Sequence, residues 1–104
     1  MDIKEMSIRE LFDDLAVREQ VVRDAKKGIT AAQEVFQRAQ RDLAEIVRPD
    51  KIELASERWL GKEKDAITAA IGVFEAAQMA YNQVGREIDI RKMEIDEEKI
   101  RLAI

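Results

Sequence analysis

The sequence predicts an all-α protein: a long antiparallel helical hairpin with coiled-coil-like packing, expected to dimerise into a four-helix bundle. Three observations carry that prediction. Residues 29–40 and 67–78 read ITAAQEVFQRAQ and ITAAIGVFEAAQ, identical at eight of twelve positions with an offset of 38. The only proline, Pro49, lies between the two copies. Of the 104 residues, 38% are charged and 5% aromatic, and Ala, Glu, Lys, Arg, Gln, Leu and Ile dominate; that is a composition of long helices rather than of a sheet.

The first helix is predicted from its heptads. Every seventh residue from Ile8 is apolar: Ile8, Leu15, Val22, Ile29, Phe36 and Leu43. Three positions further on stand Leu11, Arg18, Ala25, Ala32, Ala39 and Ile46, so the seam is small in its middle with Arg18 as its one charged member. The helix is expected over about residues 5–47. Arg48 precedes Pro49 and is pushed out of helical conformation, which ends it.

The turn covers about residues 48–56. Asp50 followed by Glu53 resembles a capping box that would start the second helix at once. Alternatively residues 49–56 form a longer turn, and Ser56 caps the helix with Glu57 in its first turn. The second helix is expected over about residues 51–102. Its seam is Leu60, Ile67, Phe74, Tyr81, Ile88, Ile95 and Leu102, accompanied by Glu63, Ala70, Ala77, Val84, Arg91 and Glu98. At about 1.5 Å per residue each helix is on the order of 60 Å long, and the whole chain, residues 1–104, reads as a single domain.

Copies placed symmetrically about a turn meet face to face. A fold point at residues 53–54 brings Ala32 level with Phe74 and Phe36 level with Ala70, large against small in each layer. A fold point at residues 49–50 pairs Ala25 with Phe74 instead and also packs. A second apolar set is left over: Phe12, Val17, Val21, Val35, Val47, Trp59, Val73, Met79, Met93 and Ile100. Two facing helices hide about one stripe each, so this set needs a partner, and a homodimer is the simplest one.

Composition narrows the chemistry. With no histidine and no cysteine, the chain lacks the usual general base near neutral pH, thiolate chemistry and the commonest metal ligands. No cofactor and no metal site are expected, and the chain is read as a non-enzyme. Asp13, Asp14, Glu94, Asp96, Glu97 and Glu98 read as solvated helix-surface acids; no inward glutamate pair marks a di-metal bundle. Gly28, Gly61, Gly72 and Gly85 belong to no phosphate-loop pattern. A net charge of −4 and a pI near 5.0 argue against phosphate-driven nucleic-acid binding. Lys26, Lys27, Arg38, Arg41 and Arg48 could still form a basic face of the kind Rop-type RNA-binding dimers use, but Glu34, Asp42 and Glu45 interleave with them, and pairs such as Glu34–Arg38 and Arg41–Glu45 are spaced to neutralise locally. No apolar run approaches the roughly 20 residues of a membrane span, and the start MDIKEMSIRE has no signal-peptide pattern. A cytoplasmic location, or export without a cleaved signal, is expected.

Trp59-Leu60-Gly61 is a W-x-G sequence near mid-chain between two helices, followed by Ala66 and Ile67. In this it resembles the WXG family of type VII secretion proteins, the ESAT-like helical hairpins. The resemblance covers about ten residues, and it departs from the family at Pro49 and in the C-terminal signal, since Tyr81 is followed four residues later by Gly85 rather than by an acid. It implies a dimeric secreted substrate or chaperone of a bacterium. The residues themselves point to a small adaptor, chaperone or inhibitor that binds protein through an apolar helix face, with Trp59, Val21, Val35, Val73 and Met79 as the candidate partner-binding residues.

Overall fold

The computed structural model describes residues 2–103, and every regular element among them is helical. In chain order these are a 3-10 turn Ile3–Glu5, helix α1 Ile8–Ala44, a second 3-10 turn Pro49–Lys51, helix α2 Ile52–Trp59 and helix α3 Gly61–Ala103.

The helix ends follow from local chemistry. Helix α1 begins at Ile8, its first heptad position and about three residues later than the expected start, because Ser7 and Glu10 form a reciprocal capping box: the Glu10 N–H donates to Ser7 Oγ at 3.2 Å and the Ser7 N–H to Glu10 Oε1 at 3.2 Å. At its other end the N–H groups of Glu45 and Ile46 donate to the carbonyls of Asp42 and Leu43, three residues back, and the helix tightens to a stop. The capping box expected at Asp50 does not form. An N-cap residue must be extended, and the extended residue is Arg48 (φ −60°, ψ 144°), set by the proline after it. Asp50 sits inside the 3-10 turn, its carboxylate 3.5 Å from Arg48 Nε. Nor does Ser56 cap anything: it is buried within α2, and its hydroxyl accepts from Gln40 Nε2 at 3.4 Å. The second helix is interrupted once, at Leu60 (φ −111°, ψ 29°), which separates α2 from α3.

The contacts divide the chain into two compact units. Unit 1 joins the residues up to Val22 with those from Ala76 onward, and unit 2 is Arg23–Glu75. In unit 1 the core is Leu11, Val84 and Ile88, with Ile3, Met6 and Leu15 packed against it. Burying such side chains contributes about 1.5–3 kcal/mol each, so this core is thin. Two arginines bracket it. Arg18, the charged member of the first seam, donates through Nη1 to the Ala80 carbonyl at 2.7 Å. Arg91, on the second seam, donates through Nη1 to the Met6 carbonyl at 2.9 Å and through Nη2 to the Lys4 carbonyl at 2.7 Å.

Each arginine is neutralised from its own helix. Arg91 Nε hydrogen-bonds Glu87 Oε1 at 3.0 Å, one turn back. Arg18 Nε lies 2.9 Å from Asp14 Oδ2, which receives no well-directed N–H; that contact is an ion pair more than a hydrogen bond.

In unit 2, Ala25, Ser56 and Leu60 are buried, and Lys26 Nζ stands 5.9 Å from the centre of the Phe74 ring. Within each unit the packed segments run antiparallel. Arg18 meets Ala80, Arg91 meets Met6, Lys26 meets Phe74 and Gln40 meets Ser56, so facing residues lie equally far on either side of residues 48–50. This corrects the register that levels Ala32 with Phe74. Within unit 2 the pairs Lys26–Phe74 and Gln40–Ser56 have their midpoints at residues 48–50, as the fold point at residues 49–50 would give.

The seams hold where a facing segment exists. From Leu11 to Leu43 every seam position of α1 is buried or half-buried, and so is every one from Leu60 to Arg91. Ile8 is exposed beside the cap, and Ile46 is exposed beyond the end of α1. Past Arg91 the expected seam members Ile95, Glu98 and Leu102 are all exposed, as is each residue of 92–103. The facing strand of backbone in unit 1 has reached Lys4 by Arg91, and α3 runs on without one.

Arg91→Ala is expected to destabilise the chain by about 1–3 kcal/mol, because it leaves two charge-accepting carbonyls without their donor. Leu11→Ala is expected to cost about 2–5 kcal/mol, and Ile46→Ser close to nothing; urea unfolding followed by circular dichroism measures all three.

Candidate functional site

Helix α1 carries apolar residues on two sides. The inner side is the seam just described. On one flank, Val21 and Val35 are separated by two heptads with Gly28 midway, and all three are exposed. Helix α3 does the same, with Val73 and Met79 exposed although its inner positions Phe74 and Ala77 are covered. Trp59 is the last residue of α2 and stands next to the break at Leu60. The Arg58 guanidinium lies 5.3 Å from the centre of the Trp59 ring, which leaves the indole otherwise open.

The five candidate residues are therefore all available. Val21, Val35, Trp59, Val73 and Met79 are 49%, 51%, 67%, 60% and 66% exposed. They do not form one cluster: two lie on α1, two on α3 and one at the end of α2. An isolated exposed apolar side chain has no meaning of its own; a periodic set does. Here the periodic part is the flank of α1; Val73 and Met79, six residues apart, do not share a helical face. The tryptophan is an anchor without a neighbouring set.

Nothing in the chain explains the glycine at position 72. A Cβ built there meets no atom within 4 Å, so no close approach inside the molecule requires its absence. In a helix interior, glycine costs about 1 kcal/mol relative to alanine.

The described residues form open recesses, two of which lie within single units. One of about 410 Å³ in unit 2 is lined by Gln37, Gln40, Arg41, Ala44 and Ile52. Another of about 650 Å³ in unit 1 runs past Lys4, Glu5, Glu87, Arg91 and Glu94, where Arg91 and Glu87 are already joined. Neither brings a nucleophile to a base. Among the described residues, no group of three or more carboxylates is placed to hold a metal ion, and no helix is long and apolar enough to cross a membrane.

Of the basic residues expected on that face, Lys27, Arg38 and Arg41 are exposed on α1. Lys26 leans over Phe74, and Arg48, beyond the helix, is beside Asp50. The local pairs expected at Glu34–Arg38 and Arg41–Glu45 are absent among the described ion pairs. Glu45 falls past the end of α1, so its spacing to Arg41 is no longer helical, and Glu34 and Arg38 are both exposed and separately solvated.

Comparison with protein-family models, with curated proteins and with solved structures finds no match to this chain.

The exposure of Trp59 has a direct optical consequence. Acrylamide is expected to quench its emission in the isolated chain almost as efficiently as that of free indole; a strongly protected, blue-shifted emission would show the ring covered.

Proposed function

We propose that this chain is a non-enzymatic protein–protein interaction module: a single helical hairpin that pairs with a second copy into a four-helix assembly and works as an adaptor, chaperone or inhibitor through its apolar helical faces. The observation that carries the reading is the imbalance between covered and uncovered apolar side chains. Among the described hydrophobic residues only Leu11, Ala25, Leu60, Ala77, Val84 and Ile88 are buried, whereas α1 leaves valine and isoleucine in solvent and α3 valine, isoleucine and methionine.

The hairpin itself is supported by the antiparallel pairing inside each unit and by the turn at Pro49. Self-association is the simplest use of the remaining stripe, because it needs no other molecule and soluble oligomers are most often two-fold. A further protein partner would then use what the pair leaves open, with Trp59 the best anchor on offer.

Val35→Asp combined with Val73→Asp tests the apolar faces. Each places a charge on an exposed flank, so α-helical circular dichroism should persist while self-association weakens by at least about tenfold, the effect of burying an uncompensated carboxylate. Association undiminished by both substitutions, measured by sedimentation equilibrium, would contradict the use of these flanks.

A further inference from the structure

The chain reaches α1 through a segment that is not part of it. Asp2 caps the 3-10 turn Ile3–Glu5, and Met6 leaves that turn extended (φ −73°, ψ 144°) before Ser7 starts α1. The hydrogen bonds on either side of this exit are separate. Within the turn, the Glu5 N–H donates to the Asp2 carbonyl at 3.0 Å and the Met6 N–H to the Ile3 carbonyl at 3.2 Å. On the helix side, the reciprocal Ser7–Glu10 cap and the bond from the Leu11 N–H to the Ser7 carbonyl at 2.9 Å need nothing from residues 2–6. The segment can therefore leave without unwinding the helix that follows it.

One side chain of α3 fastens it. The Arg91 guanidinium donates through Nη1 to the Met6 carbonyl at 2.9 Å and through Nη2 to the Lys4 carbonyl at 2.7 Å. Arg18 makes a different kind of bond, to the Ala80 carbonyl inside α3, which cannot part unless two helices do. The apolar grip of the segment is small. Ile3 and Met6 pack against the Leu11, Val84 and Ile88 cluster, yet both are only half-buried, and no residue of the turn is buried. The open recess of about 650 Å³, lined by Lys4 and Met6 on the one side and by Glu87, Arg91 and Glu94 on the other, brings water beside the guanidinium. The bond to Lys4 is itself exposed. Segments with few buried contacts and solvent-exposed hydrogen bonds open at the low end of a protein's range of local stabilities.

We infer that residues 2–6 are a releasable strap, clasped by Arg91, that shields the Ile88 end of the α3 seam. All of these residues belong to unit 1. Ile88 is buried in the cluster the strap packs on, while Ile95, one heptad further along the same face, is exposed. Closed, the strap ends the pairing of unit 1 at Arg91. Open, it joins Ile88 and Ile95 into one uncovered apolar strip with a guanidinium between them. The inference goes beyond the dimer reading and does not rest on it.

Methionine methyl resonances test it. The Met6 side chain packs on the cluster, whereas Met79 and Met93 are 66% and 63% exposed and give the reference for an uncovered methyl. Arg91→Gln is expected to move the Met6 methyl signal towards that reference, because losing two bonds from a charged donor raises the open fraction at least about tenfold. Arg91→Lys keeps the charge beside Glu87 but lacks the fork that spans two carbonyls, and is expected to move the signal the same way. In both variants the nuclear Overhauser contacts among the Leu11, Val84 and Ile88 methyls should persist, with helical circular dichroism retained. A Met6 signal that keeps its wild-type position in both variants shows that Arg91 is no clasp. Loss of the Leu11, Val84 and Ile88 contacts together with the Met6 shift shows that the segment cannot leave alone. Either result overturns the strap and leaves the dimer reading untouched.

Discussion

Guanidinium bonds to main-chain carbonyls hold this structure in register. A pair of helices can slide by a turn at small cost when its seam is mostly alanine, because one alanine layer resembles the next. In unit 1 Arg18 and Arg91 remove that freedom by fixing particular carbonyls, those of Ala80, Met6 and Lys4. Each guanidinium is half-buried and faces an acid one turn away on its own helix, so its charge is compensated before it reaches across. Leu11, Val84 and Ile88 lie in the same unit and supply its apolar burial. The arginines contribute specificity that so thin a core cannot.

That thinness connects fold to function. A chain that spends one stripe of each long helix on its own pairing has the remaining stripes left for something else. On α1 the outermost positions are charged, which is how a solvated helix protects itself. On α3 two of the equivalent positions, Gly72 and Ala76, lack the charge of Glu34 and Arg38, while Glu75 carries one where α1 has Gln37.

The inner face was the legible part of the sequence. Heptads from Ile8 and from Leu60 predict which side chains are covered from Leu11 to Leu43 and from Leu60 to Arg91, because period and burial are two views of one geometry. The ends were harder. Ser7 and Glu10 spell a capping box that heptad counting overlooks, and Asp50 with Glu53 spells one that the 3-10 turn at Pro49 prevents. The register was ambiguous for a physical reason: with Ala25 and Ala32 one heptad apart, Phe74 packs acceptably against either. Arg18 and Arg91 looked like flaws in the seam, since a heptad pattern counts a charge as an error and has no means of seeing a carbonyl across the way. Of the five candidate contact residues, exposure was foreseeable for the valines and Met79, which lie off the seam.

The central claim is that the surface left open by this fold is closed by a second copy. Light scattering behind size exclusion, run over a dilution series with circular dichroism on the same fractions, tests it most directly. The account predicts twice the mass of the 11.9 kDa chain at high concentration, and helicity that falls, if at all, only as the dimer dissociates. A fully helical monomer at every concentration would contradict it.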